Sequence, residues 1–127
     1  MRYLATFIAC VLLLAAAWNK YISGGGLVEY YDRHPRAGSA PTVLCMMGKG
    51  YEVVSNYQKM LDVYSRVVER YPASPQAMDA AFGEAFALER LGSYHEAIEK
   101  YQAFLEKYPN SKYSRSVRNN IEILKSR

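Results

Sequence analysis

Apolar side chains recur at steps of three and four residues through two stretches of the chain. Tyr57, Leu61, Tyr64 and Val68 fall four, three and four apart, and Tyr94, Ile98, Tyr101 and Leu105 repeat that spacing. The spacing puts each set on one face of an α-helix. Each pattern runs into a Tyr-Pro pair, Tyr71-Pro72 and Tyr108-Pro109. The residue before a proline is disfavoured in helical conformation, so both helices are predicted to stop there. Upstream of each lies a predicted partner helix. Leu44, Met47, Gly48 and Tyr51 mark a face of the first, and Ala77, Ala81, Ala85 and Leu88 mark a face of the second. Small residues at Gly48 and Ala85 would let two helices approach closely. A last helix is predicted over 111–125, with Tyr113, Val117, Ile121 and Leu124 on its apolar face and Arg115, Arg118, Glu122 and Lys125 largely opposite.

The helices repeat. Set over itself at an offset of 37, the chain aligns YQKMLDVYSRVVERYP (57–72) with YHEAIEKYQAFLEKYP (94–109). Tyr57/Tyr94, Tyr64/Tyr101, Glu69/Glu106, Tyr71/Tyr108 and Pro72/Pro109 are identical, and Ser74 and Ser111 follow each proline at the same distance. Repetition at such a period is the signature of a solenoid, in which each hairpin buries its apolar face only against its neighbours. The expected fold class is therefore all-α, with two helical hairpins and a capping helix after an N-terminal apolar helix.

That N-terminal segment reads as an address. Met1-Arg2-Tyr3 precedes LATFIACVLLLAAA, in which Thr6 is the one polar residue from Leu4 to Ala17. A short basic start, an apolar core and small residues make a secretory signal, with Ala15 and Ala17 at the small positions of a cleavage site before Trp18. The other reading is an uncleaved anchor. Extended to Ile22, with Lys20 snorkelling and Trp18 and Tyr21 at the interface, the segment reaches about the twenty residues that a bilayer needs. In either role Leu4, Phe7, Ile8, Leu12, Leu13, Leu14 and Trp18 carry the hydrophobic contact. Cys10 lacks the preceding triplet of a lipid-attachment site. The chain thus divides into a signal or anchor helix at 1–18, a linker at 19–40 and a repeat domain at 41–125. Gly24-Gly25-Gly26 gives the linker backbone freedom. Leu27–Tyr31 within it is read as a loosely packed connector, with a short docking strand or helix as the alternative.

Composition narrows the class. With 127 residues the chain holds one ordinary domain, and half of its residues being apolar excludes wholesale disorder. The net charge of +4 is concentrated near the C-terminus: Lys107, Lys112, Arg115, Arg118, Lys125 and Arg127 face Glu122 alone over residues 107–127. Read on its own this is the solvated face of a terminal helix, and no nucleic-acid motif accompanies it. Two Cys build no disulfide scaffold, and no His or Cys spacing suggests a metal. Gly24-Gly25-Gly26 and Gly48-Lys49-Gly50 both lack the strand, spacing and Ser/Thr of a phosphate loop. His34 and His95 stand without an acid or nucleophile at a suggestive spacing, and Glu96/Lys100 has the four-residue spacing of a supportive helical pair. No catalytic constellation, cofactor site or nucleic-acid site emerges.

The pattern resembles the tetratricopeptide repeat. The first copy, 41–72, has Leu44, Met47, Gly48 and Tyr51 at the large, large, small and aromatic positions of the family's first helix, then Met60, Tyr64 and Pro72 in its second. The second copy, 77–109, has Ala85, Ala97, Tyr101 and Pro109, with LGSYHEAIEKY (91–101) close to the family consensus. Met60, Ala81 and Glu84 depart from the usual residues. The Tyr-Pro-x-Ser boundary and long offset look like a subgroup of bacterial envelope proteins, among them the Tol-Pal-associated cell-division coordinator and the lipoprotein of the outer-membrane barrel assembly machine. The resemblance implies a non-enzymatic scaffold of the cell envelope whose partners are one or more envelope or membrane proteins. It also implies a concave binding surface lined by the first helices: Thr42, Cys45, Lys49 and Glu52 from the first copy, and Asp79, Phe82, Phe86, Glu89 and Arg90 from the second. Phe82 and Phe86 lie off the alanine stripe, either as exposed anchors or packed under the capping helix. Cys45 is read as buried or as groove wall. The family's Lys/Asn carboxylate clamp is absent, because Cys45 and Lys49 occupy its positions. Two and a half repeats are close to the minimum for a stable array, which leaves room for a partner or a second copy of the chain to complete it.

Overall fold

The computed structural model describes the backbone of residues 1–127 and every side chain except those of Ile22 and Ser23. The chain forms two compact units, 1–37 and 38–127, and all of its regular structure is helical.

In the first unit, α1 spans Arg2–Trp18 and none of its residues is buried. It runs into a π-helical turn, Asn19–Ser23, and then, after Gly25 in the left-handed region at φ 80°, into α2, Gly26–Arg33. The stretch read from sequence as a linker therefore carries a helix of its own, over the residues taken for a connector. Its end has a cause that the 57–109 alignment does not reach. Asp32-Arg33-His34-Pro35 stands 37 residues before Glu69-Arg70-Tyr71-Pro72, which stands 37 before Glu106-Lys107-Tyr108-Pro109. The residues before the three prolines close their helices alike, with φ/ψ of −124°/61° at His34, −128°/48° at Tyr71 and −128°/65° at Tyr108. Each also donates its N–H to the carbonyl four residues back, at Tyr30, Val67 and Phe104. Proline forces its predecessor out of the helical region, and the same boundary results three times.

The second unit is a run of antiparallel helical hairpins. First helices α3 (Ala40–Val53) and α5 (Ala77–Arg90) alternate with second helices α4 (Tyr57–Arg70) and α6 (Tyr94–Lys107), and α7 (Ser114–Lys125) closes the series. The starts of α3, α5 and α7 are spaced by the sequence offset of 37, so α7 begins in register as a third first helix. The two intra-hairpin turns are also equivalent. Ser55 and Gly92 both sit at positive φ, 56° and 81°. Asn56 donates its N–H to the Tyr51 carbonyl, as Ser93 does to that of Leu88. The preceding N–H groups, of Ser55 and Gly92, reach Glu52 and Glu89. This pair of bonds satisfies carbonyls that the helix end would otherwise orphan, and it requires the left-handed residue.

Packing centres on α5, which α4 and α6 flank. It buries Ala77, Ala80, Gly83, Glu84, Ala85, Ala87 and Leu88, a wider surface than the alanine stripe alone. Two of its neighbours are tyrosines at equivalent positions, and each is accommodated differently. The Tyr64 ring, 4% exposed, lies against both Gly48 of α3 and Gly83 of α5. The Tyr101 ring, fully buried, faces Asn120 instead, whose Nδ2 donates to the tyrosine hydroxyl at 3.2 Å. Asn120 stands 37 residues after Gly83. The close approach expected at Gly48 is present, Gly83 adds a second one on the other side of the Tyr64 ring, and Ala85, the equivalent of Gly48, is fully buried in the cluster around Tyr101.

Glu84, a departure from the family's large apolar residue, is buried at 5% exposure. It accepts from the Ser65 hydroxyl at 2.9 Å and pairs with Lys100 at 3.2 Å, joining α4, α5 and α6. Lys100 thus reaches across to the neighbouring helix, where the sequence suggested pairing with Glu96. Buried carboxylates are tolerated only with such partners. On α7, Val117, Ile121 and Leu124 are buried. Arg118, Glu122 and Lys125, which correspond to Ala81, Ala85 and Leu88 of α5, are exposed. The side that would receive a following helix is charged, and this makes α7 a cap.

Candidate partner-binding face

The register of α3, α5 and α7 sorts the anticipated binding residues into rows. Residues 37 apart occupy the same position on successive first helices, so Cys45, Phe82 and Asn119 share one row, Lys49, Phe86 and Ile123 the next, and Val53, Arg90 and Arg127 a third.

Some members of these rows are committed to the fold. Cys45 is 6% exposed, with its Sγ 3.8 Å from the Gln76 carbonyl oxygen. Burial, then the nearby Asp79 charge, push its thiol up to about 11. Asp79 accepts from the Tyr113 hydroxyl at 2.7 Å and lies 3.4 Å from the Lys112 ammonium, tying α5 to the start of α7. Burial is also the first cause, and this hydrogen bond the second, of the rise in the Tyr113 pKa. Glu89 accepts from Tyr101 at 2.7 Å, extending the link from Asn120. Burial and this carboxylate hold the Tyr101 hydroxyl well above the usual tyrosine range. Thr42 accepts from the Gln76 side chain at 3.0 Å.

Phe82 and Phe86 are half-buried and form part of a continuous aromatic tract. Phe82 stacks on Tyr113 with ring centroids 4.3 Å apart and planes within 6° of parallel, and it also meets Tyr101 and Phe104. Phe86 lies 6.3 Å from Phe82 and edge-on to Tyr57 at 6.5 Å. Phe82 is therefore the member held by the capping helix, and Phe86 reaches only Phe82 and the rim residue Tyr57 by its ring. Lys49, Glu52 and Arg90 are exposed. In the same rows stand large apolar side chains open to solvent, Val53 at 85% exposure and Ile123 at 46%.

Tyr57, Tyr94 and Arg127 join this face. The spacing sets Tyr57 and Tyr94 on the apolar faces of their helices, but Tyr57 is half-buried and Tyr94 exposed, and the buried faces run through Met60, Val63, Tyr64 and Val67 on α4 and Ala97, Tyr101 and Phe104 on α6. The Arg90 guanidinium lies over the Tyr57 ring at 5.2 Å, and the Arg127 guanidinium over the Tyr94 ring at 5.3 Å. Both partners in the second pair are 37 residues beyond those in the first, so extending the repeat offset to residue 127 would have found them. Hydrogen bonding to Ser55 first, and to Arg90 second, lowers the Tyr57 pKa. A polar cavity of about 300 Å³ lies beside the second pair, lined by Glu89, Arg90, Tyr94, Leu124 and Arg127. His95 pairs with Glu99 at 3.1 Å on the exposed side of α6. Among the described residues no group of three His, Cys, Asp or Glu side chains is placed to hold a metal ion.

Residues 79–111, from the first turn of α5 to the boundary before α7, match the tetratricopeptide repeat family. A tetratricopeptide repeat is thus detected over this stretch. Its hairpin is the second of the two described above, and the tetratricopeptide family consists typically of non-catalytic adaptors that bind other proteins. No curated protein matches the chain significantly.

In the first unit, Leu4, Phe7, Ile8, Leu12, Leu13, Leu14 and Trp18 are all exposed. The helical stretch Arg2–Tyr21, 20 residues with mean hydropathy 1.5, is long and apolar enough to cross a membrane, a property that signal sequences share.

Proposed function

We propose that this protein is a non-enzymatic adaptor of the bacterial cell envelope that docks one or more partner proteins on the face shared by α3, α5 and α7. The observation that carries the proposal is the character of that face. On α3, α5 and α7 it presents apolar side chains beyond those the core needs, namely Val53, Phe86 and Ile123, interspersed with Lys49, Glu52 and Arg90. An apolar centre with a polar rim is what a protein docking surface requires. The envelope address is supported by the N-terminal apolar helix and by the Tyr-Pro-x-Ser boundary, which resembles that of envelope tetratricopeptide proteins. Nothing in the reading calls for a cofactor or for nucleic acid.

The test is recovery of partners from native membranes with the C-terminally tagged full chain in detergent. Phe86→Ala should remove the co-purifying proteins while the melting temperature stays within a few degrees. Undiminished recovery with Phe86→Ala, Lys49→Ala and Arg90→Ala together would overturn the reading.

A second reading makes the protein an accessory subunit of a membrane complex, held by an uncleaved helix. It is favoured by the length of the apolar stretch, which continues through Trp18 to Tyr21 rather than ending at the small residues Ala15 and Ala17. Intact-mass analysis distinguishes the two: a mature chain beginning at Trp18 sinks the subunit reading, and one beginning at Met1 supports it.

A further inference from the structure

The repeated pairing of an arginine with a tyrosine, Arg90 with Tyr57 and Arg127 with Tyr94, lies at the edge of the face assigned to partner binding, and any role for it in docking rests on that assignment. Three features characterise these two arginines. Each comes from a first helix or its C-terminal end and lies over a tyrosine that starts a second helix, at nearly the same distance. The pairing is thus built into the repeat rather than scattered over a charged surface. Among the described residues, neither guanidinium has a carboxylate within 4.0 Å. Lys100 and Lys112, by contrast, are spent on Glu84 and Asp79. Both arginines line the same polar cavity, and Glu89, the carboxylate in its wall, is engaged by the Tyr101 hydroxyl.

Each guanidinium also hydrogen-bonds the hydroxyl of its tyrosine, Arg127 Nη1 donating to Tyr94 at 3.4 Å, which holds the side chain in place and leaves its remaining N–H groups for a carboxylate, so little freedom is given up when one arrives. Two such groups, Arg90 at the end of α5 and Arg127 just beyond α7, form a two-rung ladder next to the apolar centre. The geometry points to an acidic partner segment: an extended or helical stretch that seats apolar side chains along Phe86 and Ile123 and places two carboxylates on Arg90 and Arg127.

The experiment pans a phage-displayed library of random twelve-residue peptides against the full chain in detergent micelles, with empty micelles as the control. The wild-type chain should enrich sequences carrying two or more Asp or Glu beside apolar residues. A fluorescent peptide made from the leading sequence should bind Arg90→Gln/Arg127→Gln about 10- to 100-fold more weakly than wild type, the loss expected for two charge-assisted contacts. Arg90→Lys/Arg127→Lys should recover part of that loss, and higher salt should weaken binding to wild type only. If the enriched sequences show no acidic bias but are lost on Phe86→Ala, the docking face stands and the arginine ladder is wrong. If no peptide is enriched above empty micelles, both are wrong. If inorganic phosphate or phosphatidylglycerol vesicles bind in an Arg90- and Arg127-dependent manner while the peptides bind independently of these residues, the ladder serves a phosphate group and the proposal is overturned.

Discussion

Substituting alanine for Gly48 or Gly83 tests the packing around Tyr64 directly. Ordinary helix propensity predicts a gain, since replacing an interior glycine by alanine is worth about 0.5–1 kcal/mol in a helix. The surroundings predict the opposite. A Cβ at either position would come closer than 3.0 Å to ring atoms of Tyr64, where ordinary contact begins near 3.4 Å. The ring cannot yield cheaply, because it is 4% exposed and moving away from one helix drives it into the other. Overpacking of this kind costs about 1–3 kcal/mol, so the net change is a loss of up to about 2.5 kcal/mol in place of the gain. Gly50 lies in the same helix as Gly48, but a Cβ added there would meet nothing within 4 Å, and Gly50→Ala should therefore stabilise. For a unit of this size each kcal/mol moves the midpoint by about 4–8 °C. Thermal melts of the full chain in detergent, followed by circular dichroism, should show Gly48→Ala and Gly83→Ala below wild type and Gly50→Ala above it. In a Tyr64→Leu background the penalty at both glycines should vanish. Equal stabilisation at Gly48 and Gly50 would refute the wedge.

Four further outcomes are expected from the same structure. Ser55→Gly should stabilise by about 1 kcal/mol, because Ser55 holds a left-handed conformation that its equivalent Gly92 adopts freely, and Gly92→Ala should destabilise by a similar amount; paired urea titrations check both. Lys100→Ala should cost about 1–2 kcal/mol by leaving the buried Glu84 with Ser65 as its remaining partner, whereas Glu84→Leu, which restores an apolar residue, should cost less. Raising the pH should weaken the fold. The Cys45 thiol is held up to about 11 by burial, so the unfolded chain loses this proton first; the stability is intact below about pH 9 and declines as the pH rises towards 11. Burial likewise raises Tyr64 and Tyr101, so their contribution is lost above the ordinary tyrosine pKa, and Cys45→Ala should remove only the earlier part of the decline in an alkaline melting series. Finally, in a Cys10→Ser chain, which removes the exposed thiol, a thiol reagent at pH 8 should label Cys45 only on denaturation, and rapid labelling of that native chain would contradict its burial.

The secondary structure was largely legible in the chain because its signals are local. Apolar spacing over 57–68 and 94–105 set the helical period, although the buried face of α4 runs through Met60, Val63, Tyr64 and Val67 rather than Tyr57, Leu61 and Val68, and proline after Tyr71 and Tyr108 set where each helix stops. The internal offset of 37 then implied the hairpin solenoid. That same offset also held two facts that extend beyond the best-aligned segment. One is the third boundary at His34-Pro35, which ends a helix where a linker was expected. The other is the Arg127 and Tyr94 pair. Both were obscured by degenerate neighbours, Gly24-Gly25-Gly26 in one case and the chain's polar last residues in the other.

What the sequence could not decide was how each side chain is used once helices from different parts of the chain meet. Glu84 stands out in the sequence only as a departure from the usual residue and Lys100 only as a partner for Glu96, and it is the stacking of α6 on α5 that buries the Glu84 carboxylate and brings the half-exposed Lys100 to it. Phe82 and Phe86 are indistinguishable by spacing, yet the approach of α7 stacks Tyr113 on the first and leaves the second towards the rim. Gly83 and Asn120 hold equivalent positions, and one admits a ring while the other hydrogen-bonds one. Local periodicity is a property of consecutive residues, so the chain itself determines it. Burial and partnership are properties of the space between helices, and they exist only after the repeats have stacked.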